Sequence, residues 1–183
     1  MVYYGSKDLA ASFRQVRGNT IQIAEDIPEH KYSFKATPET LSVGQTLVHI
    51  ALSPEFQGHV HRNKIRDLKD INFPELFEKF RAEEAKPRTK AETIALLKAE
   101  GDAFASYMEG LSDVFLAEEV AMPPGAEPAM KTRFEMLLSA KEHEMHHRGQ
   151  LMVLQRMIGL VPHLTRQMQE RMAQVAAAAP AAL

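Results

Sequence analysis

At three places where a stretch of apolar residues at helical spacing begins, a Ser or Thr stands three residues ahead of a Gln or Glu: Ser42 with Gln45, Thr89 with Glu92, and Thr132 with Glu135. In this pattern each of the two side chains accepts a hydrogen bond from the other residue's backbone N–H, so two otherwise orphaned donors are satisfied. A helix is therefore predicted to start at each pair. The helix after Ser42 runs through Leu47, Val48, Ile50, Ala51 and Leu52, apolar on nearly every side. Pro54 then removes one backbone bond, which predicts a kink near Ile50 and places residues near 49 in the interior. The helix after Thr89 carries Ile94, Leu97, Phe104, Met108 and Leu111 despite Gly101, and the helix after Thr132 runs to Ile158, closed by Gly159 and Pro162.

The remaining elements follow from the same periodicity. Leu9, Phe13, Val16, Ile23 and Ile27 mark a first long amphipathic helix, with Ser6 as its cap and Pro28 at its end. Pro74 suits the first turn of a short connecting helix with Leu76, Phe77 and Phe80. Residues 112–128, with Pro123, Pro124, Gly125 and Pro128, read as a crossover loop or extended arm. Leu164, Met168, Met172 and Val175 predict a fifth helix that frays through Ala176–Ala179 and Pro180. With no internal repeat and no strand-like alternation, the expected fold is all-α: an up-and-down four-helix bundle with an additional short C-terminal helix. It is expected as one domain over 1–183, with a core at 6–162 and the last helix and tail at 163–183.

Twenty-two Lys and Arg against 24 Asp and Glu leave a net charge of −2, so no basic excess exists to neutralise a phosphate backbone, and nucleic acid is not an expected partner. The chain has no cysteine, which excludes disulfides, thiolate ligands and a Cys nucleophile. Any metal must use His, Asp or Glu. Met1–Phe13 lacks the basic start and apolar core of a secretory signal, and no apolar run approaches the roughly 20 residues of a membrane span; the expected location is cytoplasmic.

The histidines are placed unevenly. Following the buried stripe of the last bundle helix gives Met136, Ala140, His143, His147, Leu151, Leu154 and Ile158, so two imidazoles interrupt an apolar seam. Residues four apart share a helix face, close enough for both rings to converge on one ion at about 2.0–2.1 Å. Buried neutral imidazoles need partners; a metal supplies one, and a carboxylate or carbonyl would serve as well. A third metal ligand must come from another helix, and His49, in the most apolar turn of the second helix, is the best candidate, although taken alone it reads as a core residue. His146 borders the seam as a supporting or surface residue. His59 and His61 lie in a polar stretch, and His30 and His163 lie beside prolines; all four read as solvated. Glu142 and Glu144 point about 100° away from the neighbouring ligand, so neither is assigned as a general base.

At this point the chain resembles the DinB/YfiT-like family, whose signature is a His in the second helix and His-x-x-x-His-Arg-Gly-Gln in the last bundle helix. Here these are His49, within Leu47–Ala51, and His143 with His147, Arg148, Gly149 and Gln150. The resemblance spans most of residues 6–162. It implies a four-helix bundle holding one divalent transition-metal ion per chain on His49, His143 and His147. Three imidazoles suit zinc, nickel, copper or iron; zinc is expected first and nickel next. The resemblance also implies a homodimer. In some relatives the metal activates a low-molecular-weight thiol, such as bacillithiol or mycothiol, so the small-molecule substrate is expected to include such a thiol. The expected activity is a metal-dependent thiol S-transferase ahead of a hydrolase, the alternative being a metal-binding or stress-response bundle without turnover. Arg148 is expected to pair with a carboxylate, or else to meet an anionic substrate, and Gly149 to allow close helix approach.

Overall fold

The computed structural model describes residues 4–178. Its helices are α1 (Ser6–Asp26), α2 (Val43–Leu52), α3 (Pro54–Arg62), α4 (Phe73–Glu84), α5 (Lys90–Glu109), α6 (Asp113–Leu116), α7 (Arg133–Met157) and α8 (His163–Ala178). Between α6 and α7 lie two short strands, β1 (Glu119–Ala121) and β2 (Met130–Thr132). All three capping pairs form: Ser42, Thr89 and Thr132 each receive the N–H of the residue three ahead, and that residue's side chain returns to the cap. Gly159 takes a positive φ of 83°, the left-handed conformation that ends α7 where the sequence places it.

The bundle consists of α1, α5, α7 and the nearly continuous pair α2 and α3. Phe13 meets Phe104 edge to face while Lys90 reaches the carbonyls at the far end of α1, so α1 and α5 are antiparallel. Gln57 meets Ser139 and His49 meets His143, so α2–α3 is antiparallel to α7. Arg17 bridges Ile50 and Leu97, and Arg62 lies over Tyr107, so α2–α3 runs parallel to α5. Helix directions along the chain are therefore up, down, down, up, with α1 diagonal to α2, rather than the strict alternation expected. The connection at 63–89, which contains α4, runs back along the length of the bundle between two parallel helices, while those at 27–42 and at 110–132, the latter with the hairpin, cross its ends between diagonal helices.

Two apolar clusters fill the bundle. One joins Leu9, Phe13, Phe104, Met108 and Leu137; the other joins Ile23, Leu47, Ile50, Leu97 and Leu151. Each such side chain contributes about 1.5–3 kcal/mol when fully buried. Between the clusters lies a buried ion pair, Arg17 with Glu144. A third cluster, with Val60, Leu68, Val120 and Met136, seats the hairpin against α3 and α7.

The expected kink near Ile50 appears as an interruption at Ser53, and Pro54 opens α3 as its first residue. Because Pro54 has no N–H, Ile50 O lacks its helical donor, and Arg17 Nη2 and Ser53 Oγ donate to it instead, each at 3.1 Å. The stretch 112–128, read as loop or arm, holds α6 and β1, and β1 pairs antiparallel with β2. Strands of three residues are too short for alternation to show in sequence. The C-terminal helix forms as expected, while the alanine and proline tail from Ala179 lies outside the described residues. No helix among the described residues is long and apolar enough to cross a membrane.

Candidate metal centre

α2 and α7 cross with His49 facing His143 and His147. Their Nε2 atoms lie close together, His49 to His143 at 3.3 Å and His147 to His143 at 3.2 Å. One ligand atom from each of the three lies within 4.8 Å of the others. Four ligands placed tetrahedrally at 2.0–2.1 Å from a zinc-sized ion stand about 3.3 Å apart, so the two spacings to His143 are those of neighbouring corners of such a shell.

The far sides of the rings show which nitrogens are free. His49 Nδ1 donates to Glu84 Oε1 at 2.7 Å, and His147 Nδ1 donates to Gln150 Oε1 at 2.7 Å. Gln150 Nε2 meets His146 Nε2 at 3.2 Å, which fixes the amide so that its oxygen faces His147. With the proton on Nδ1, Nε2 of both His49 and His147 carries a lone pair aimed at His143 Nε2. At most one of these pairs can be satisfied by a proton on His143. A divalent cation would satisfy all three together, and the residues fit one. His143 Nδ1 is buried without a hydrogen-bond partner.

Electrostatics favour the neutral rings that ligation requires. Burial, followed by the neighbouring imidazoles His147, His49 and His146, pushes His143 down to about 4. Burial also lowers His147, against the opposing hydrogen bond to Gln150. Both stay uncharged at neutral pH without help from a bound ion.

Two clefts of about 400 and 440 Å³ flank the histidines. One, beside His49 and His143, has a wall of Leu52, Phe56, Phe77 and Phe80 with Arg81 and Glu84. The other, beside His147 and Gln150, is lined by Leu41, Thr46, Val153 and Leu154. Both lie in the size range of small-molecule sites.

Beneath the site, Arg17 Nε donates to both oxygens of Glu144 at 3.0 Å, and Nη1 donates to Leu97 O at 2.8 Å. One guanidinium thus ties α1 to α2, α5 and α7, one residue away from His49 and His143. Gly101 makes room for it: a Cβ there would fall 2.8 Å from Arg17 Cγ. Glu144 is a structural anion with no path to the ligand faces, so leaving it out as a base is consistent with its burial.

Other sequence expectations divide. His30 and His146 are exposed as expected. His61 and His163, read as solvated, are buried: His61 bonds Gln57 Oε1 and accepts from Arg133, and His163 meets Asn19. The polar stretch around His61 and the loop-forming Pro162 beside His163 hid the tertiary partners that cover them. Arg148 makes no ion pair among the described residues; the buried pair belongs to Arg17 and Glu144. Gly149 has nothing within 4 Å of where a Cβ would stand, so it serves no close helix approach. Glu84 was missed altogether. The available signal was the face of α4, where Phe77, Phe80, Arg81 and Glu84 recur at helical spacing.

A model of the DinB superfamily matches residues 12–151. The uncharacterised protein YjoA of Bacillus subtilis strain 168 is 25% identical over 154 residues, covering 84% of this chain and 91% of that protein. The crystal structure of that DinB-like protein superposes with a TM-score of 0.61 at 23% identity, over 82% of this chain and 92% of that one. The Bacillus subtilis protein YfiT, described as a probable metal-dependent hydrolase with an unusual four-helix bundle topology, superposes at 0.64 with 14% identity, over 85% and 88% of the two chains. An uncharacterised protein from Clostridium difficile 630 gives 0.64 at 12% identity, over 85% and 98%. With the family model covering most of the chain and the helical bundle shared with these structures, the protein belongs to the DinB superfamily.

Proposed function

We propose that this protein is a metal-dependent enzyme that holds one divalent transition-metal ion per chain on His49, His143 and His147, zinc before nickel, and transfers a low-molecular-weight thiol to an electrophilic carbon of a second small molecule, the new C–S bond replacing the bond to a leaving group such as halide and the thiol proton being released. When bound, such an ion lowers the pKa of a coordinated water to about 7 and ionises a coordinated thiol, so a nucleophile is available without a protein cysteine. The observation that carries the reading is the position of the three imidazoles between two clefts. Hydrolysis needs a cleft for one substrate, since water needs none; transfer between two small molecules needs two. Glu84 and Gln150 orient His49 and His147 by holding their Nδ1 protons.

Hydrolysis is the second reading, favoured by the description of YfiT as a probable metal-dependent hydrolase. The two separate in one assay. Zinc-loaded protein is incubated with monobromobimane and a panel of thiols, and in parallel with p-nitrophenyl esters without thiol. Thiol-dependent conjugation, abolished in His49→Ala, supports transfer; thiol-independent ester cleavage with the same dependence supports hydrolysis. A metal-loaded protein inert in both would overturn the enzyme reading and leave a metal-holding bundle. The exposed Met168, Met172 and Val175 of α8 form an apolar face that suits the proposed homodimer, which sedimentation equilibrium tests.

A further inference from the structure

The cleft beside His49 and His143 has a wall that selects its occupant. α4 presents Phe77, Phe80, Arg81 and Glu84 along one face, and Phe56 of α3 and Leu52 of α2 stand across from them. The aromatic side chains form a continuous surface, Phe56 against Phe73 at 6.2 Å between ring centres, Phe73 against Phe77 at 5.8 Å and Phe77 against Phe80 at 6.5 Å. Phe77 is nevertheless 44% exposed, and α4 buries no residue fully. An apolar wall left open to solvent over a functional site calls for an apolar ligand surface.

Charge at this wall is equally selective. Arg81 lines the cleft and makes no ion pair and no side-chain hydrogen bond among the described residues. On the same helix Glu84 is engaged by His49, Glu75 by Lys79 and Glu83 by Lys86 and Arg88, while Glu78, three residues before Arg81, stands beyond ion-pair distance of it. A guanidinium without a protein partner presents the fork that matches a carboxylate.

Resting on the reading of the histidines as an ion site, we infer that this cleft takes an aryl or otherwise apolar carboxylic acid: the body lies against Phe56, Phe77 and Phe80, and Arg81 holds the carboxylate. The acid is then the electrophilic second substrate: a carbon of its body accepts the thiol sulfur as a leaving group such as halide departs with the bonding pair and the thiol proton is released, and the cleft beside His147 is left for the thiol. Arg81 is a specificity-determining residue that holds no ion.

The test uses 3-phenylpropanoate and its neutral isostere 3-phenylpropanamide, titrated by calorimetry into the full chain, both zinc-loaded and chelator-treated, with metal content measured on the same samples. The acid is expected to bind more tightly than the amide in both forms. Arg81→Gln is expected to weaken the acid about tenfold and erase the preference. Phe80→Ala is expected to weaken both probes alike. A preference that disappears on chelation yet survives Arg81→Gln would place the carboxylate on the ion and overturn the inference. Absence of binding by either probe up to millimolar concentration would overturn it too. A wild-type chain that takes up no zinc defeats the ion-site reading instead, while the comparison of acid with amide in the chelator-treated protein still decides the role of Arg81.

Discussion

Replacing Glu144 with Ala should cost more stability than any substitution at the metal ligands. The Arg17 and Glu144 side chains are 4% and 1% exposed, so removing the carboxylate leaves a guanidinium where water cannot reach it. Breaking a buried pair from one side costs about 3–5 kcal/mol. Arg17 keeps its bonds to Leu97 O and Ile50 O, which places the expected loss near the lower figure. For a chain of this size, 1 kcal/mol moves the melting temperature by about 2–4 °C, so the midpoint should fall by about 6–12 °C. The pair itself is not the source of stability, since its attraction must first offset the desolvation of both charges. A double variant, Arg17→Met with Glu144→Leu, should therefore recover part of the loss. It should not recover all of it, because Ile50 O, already deprived of a helical donor by Pro54, would retain only Ser53 Oγ. Urea unfolding monitored by circular dichroism on the wild type, Arg17→Met, Glu144→Leu and the double variant measures the coupling directly, with Glu144→Ala beside them. A loss below about 1 kcal/mol in Glu144→Ala, or a double variant no better than the single one, would refute the reasoning.

Glu84→Ala should weaken zinc binding by about 10–100-fold with little change in melting temperature of the metal-free protein, since it removes the acceptor that fixes the His49 tautomer; competition with a chromophoric chelator reads the affinity. His61 gives a pH signature. Burial, followed by the charge of Arg133, pushes it down to about 4, below its unfolded value of 6.5. Between those values the unfolded chain binds more protons, so the contribution of neutral His61 is fully present above pH 6.5 and is lost as pH falls towards 4. His61→Gln, which keeps an acceptor for Arg133, should shrink the stability difference between pH 7.5 and 4.5 by about 2–3 kcal/mol in metal-free protein. An unchanged difference in urea titrations would show that His61 is not held neutral.

What was legible in the sequence was local. Capping pairs act within four residues, so the starts of α2, α5 and α7 were readable without any knowledge of packing. The pairing of His143 with His147 followed from helix periodicity, and His49 stood out as the one imidazole in an apolar turn. The residues that support them were hidden because their partners come from distant segments. Glu84 reaches His49 only because α4 folds back across α2, and no spacing rule encodes that return. Arg17 offered a weak signal, a charge on the buried stripe of α1 between Phe13 and Thr20. Gly101 offered another, a helix-weakening residue in the middle of α5, yet only the crossing of the two helices shows that the glycine clears space for the guanidinium. His61 illustrates the opposite error: flanking polar residues suggested solvent, while Arg133 and Gln57 close over it.

We propose that His49, His143 and His147 form one ion site. Its most direct test is elemental analysis by plasma mass spectrometry of protein purified without a polyhistidine tag, beside the His143→Ala variant. About one divalent ion per chain is expected in the wild type and loss of that ion in the variant, since one of three protein ligands is removed. A wild type that holds no metal even after reconstitution with zinc or nickel, or a variant that retains it, would contradict the account.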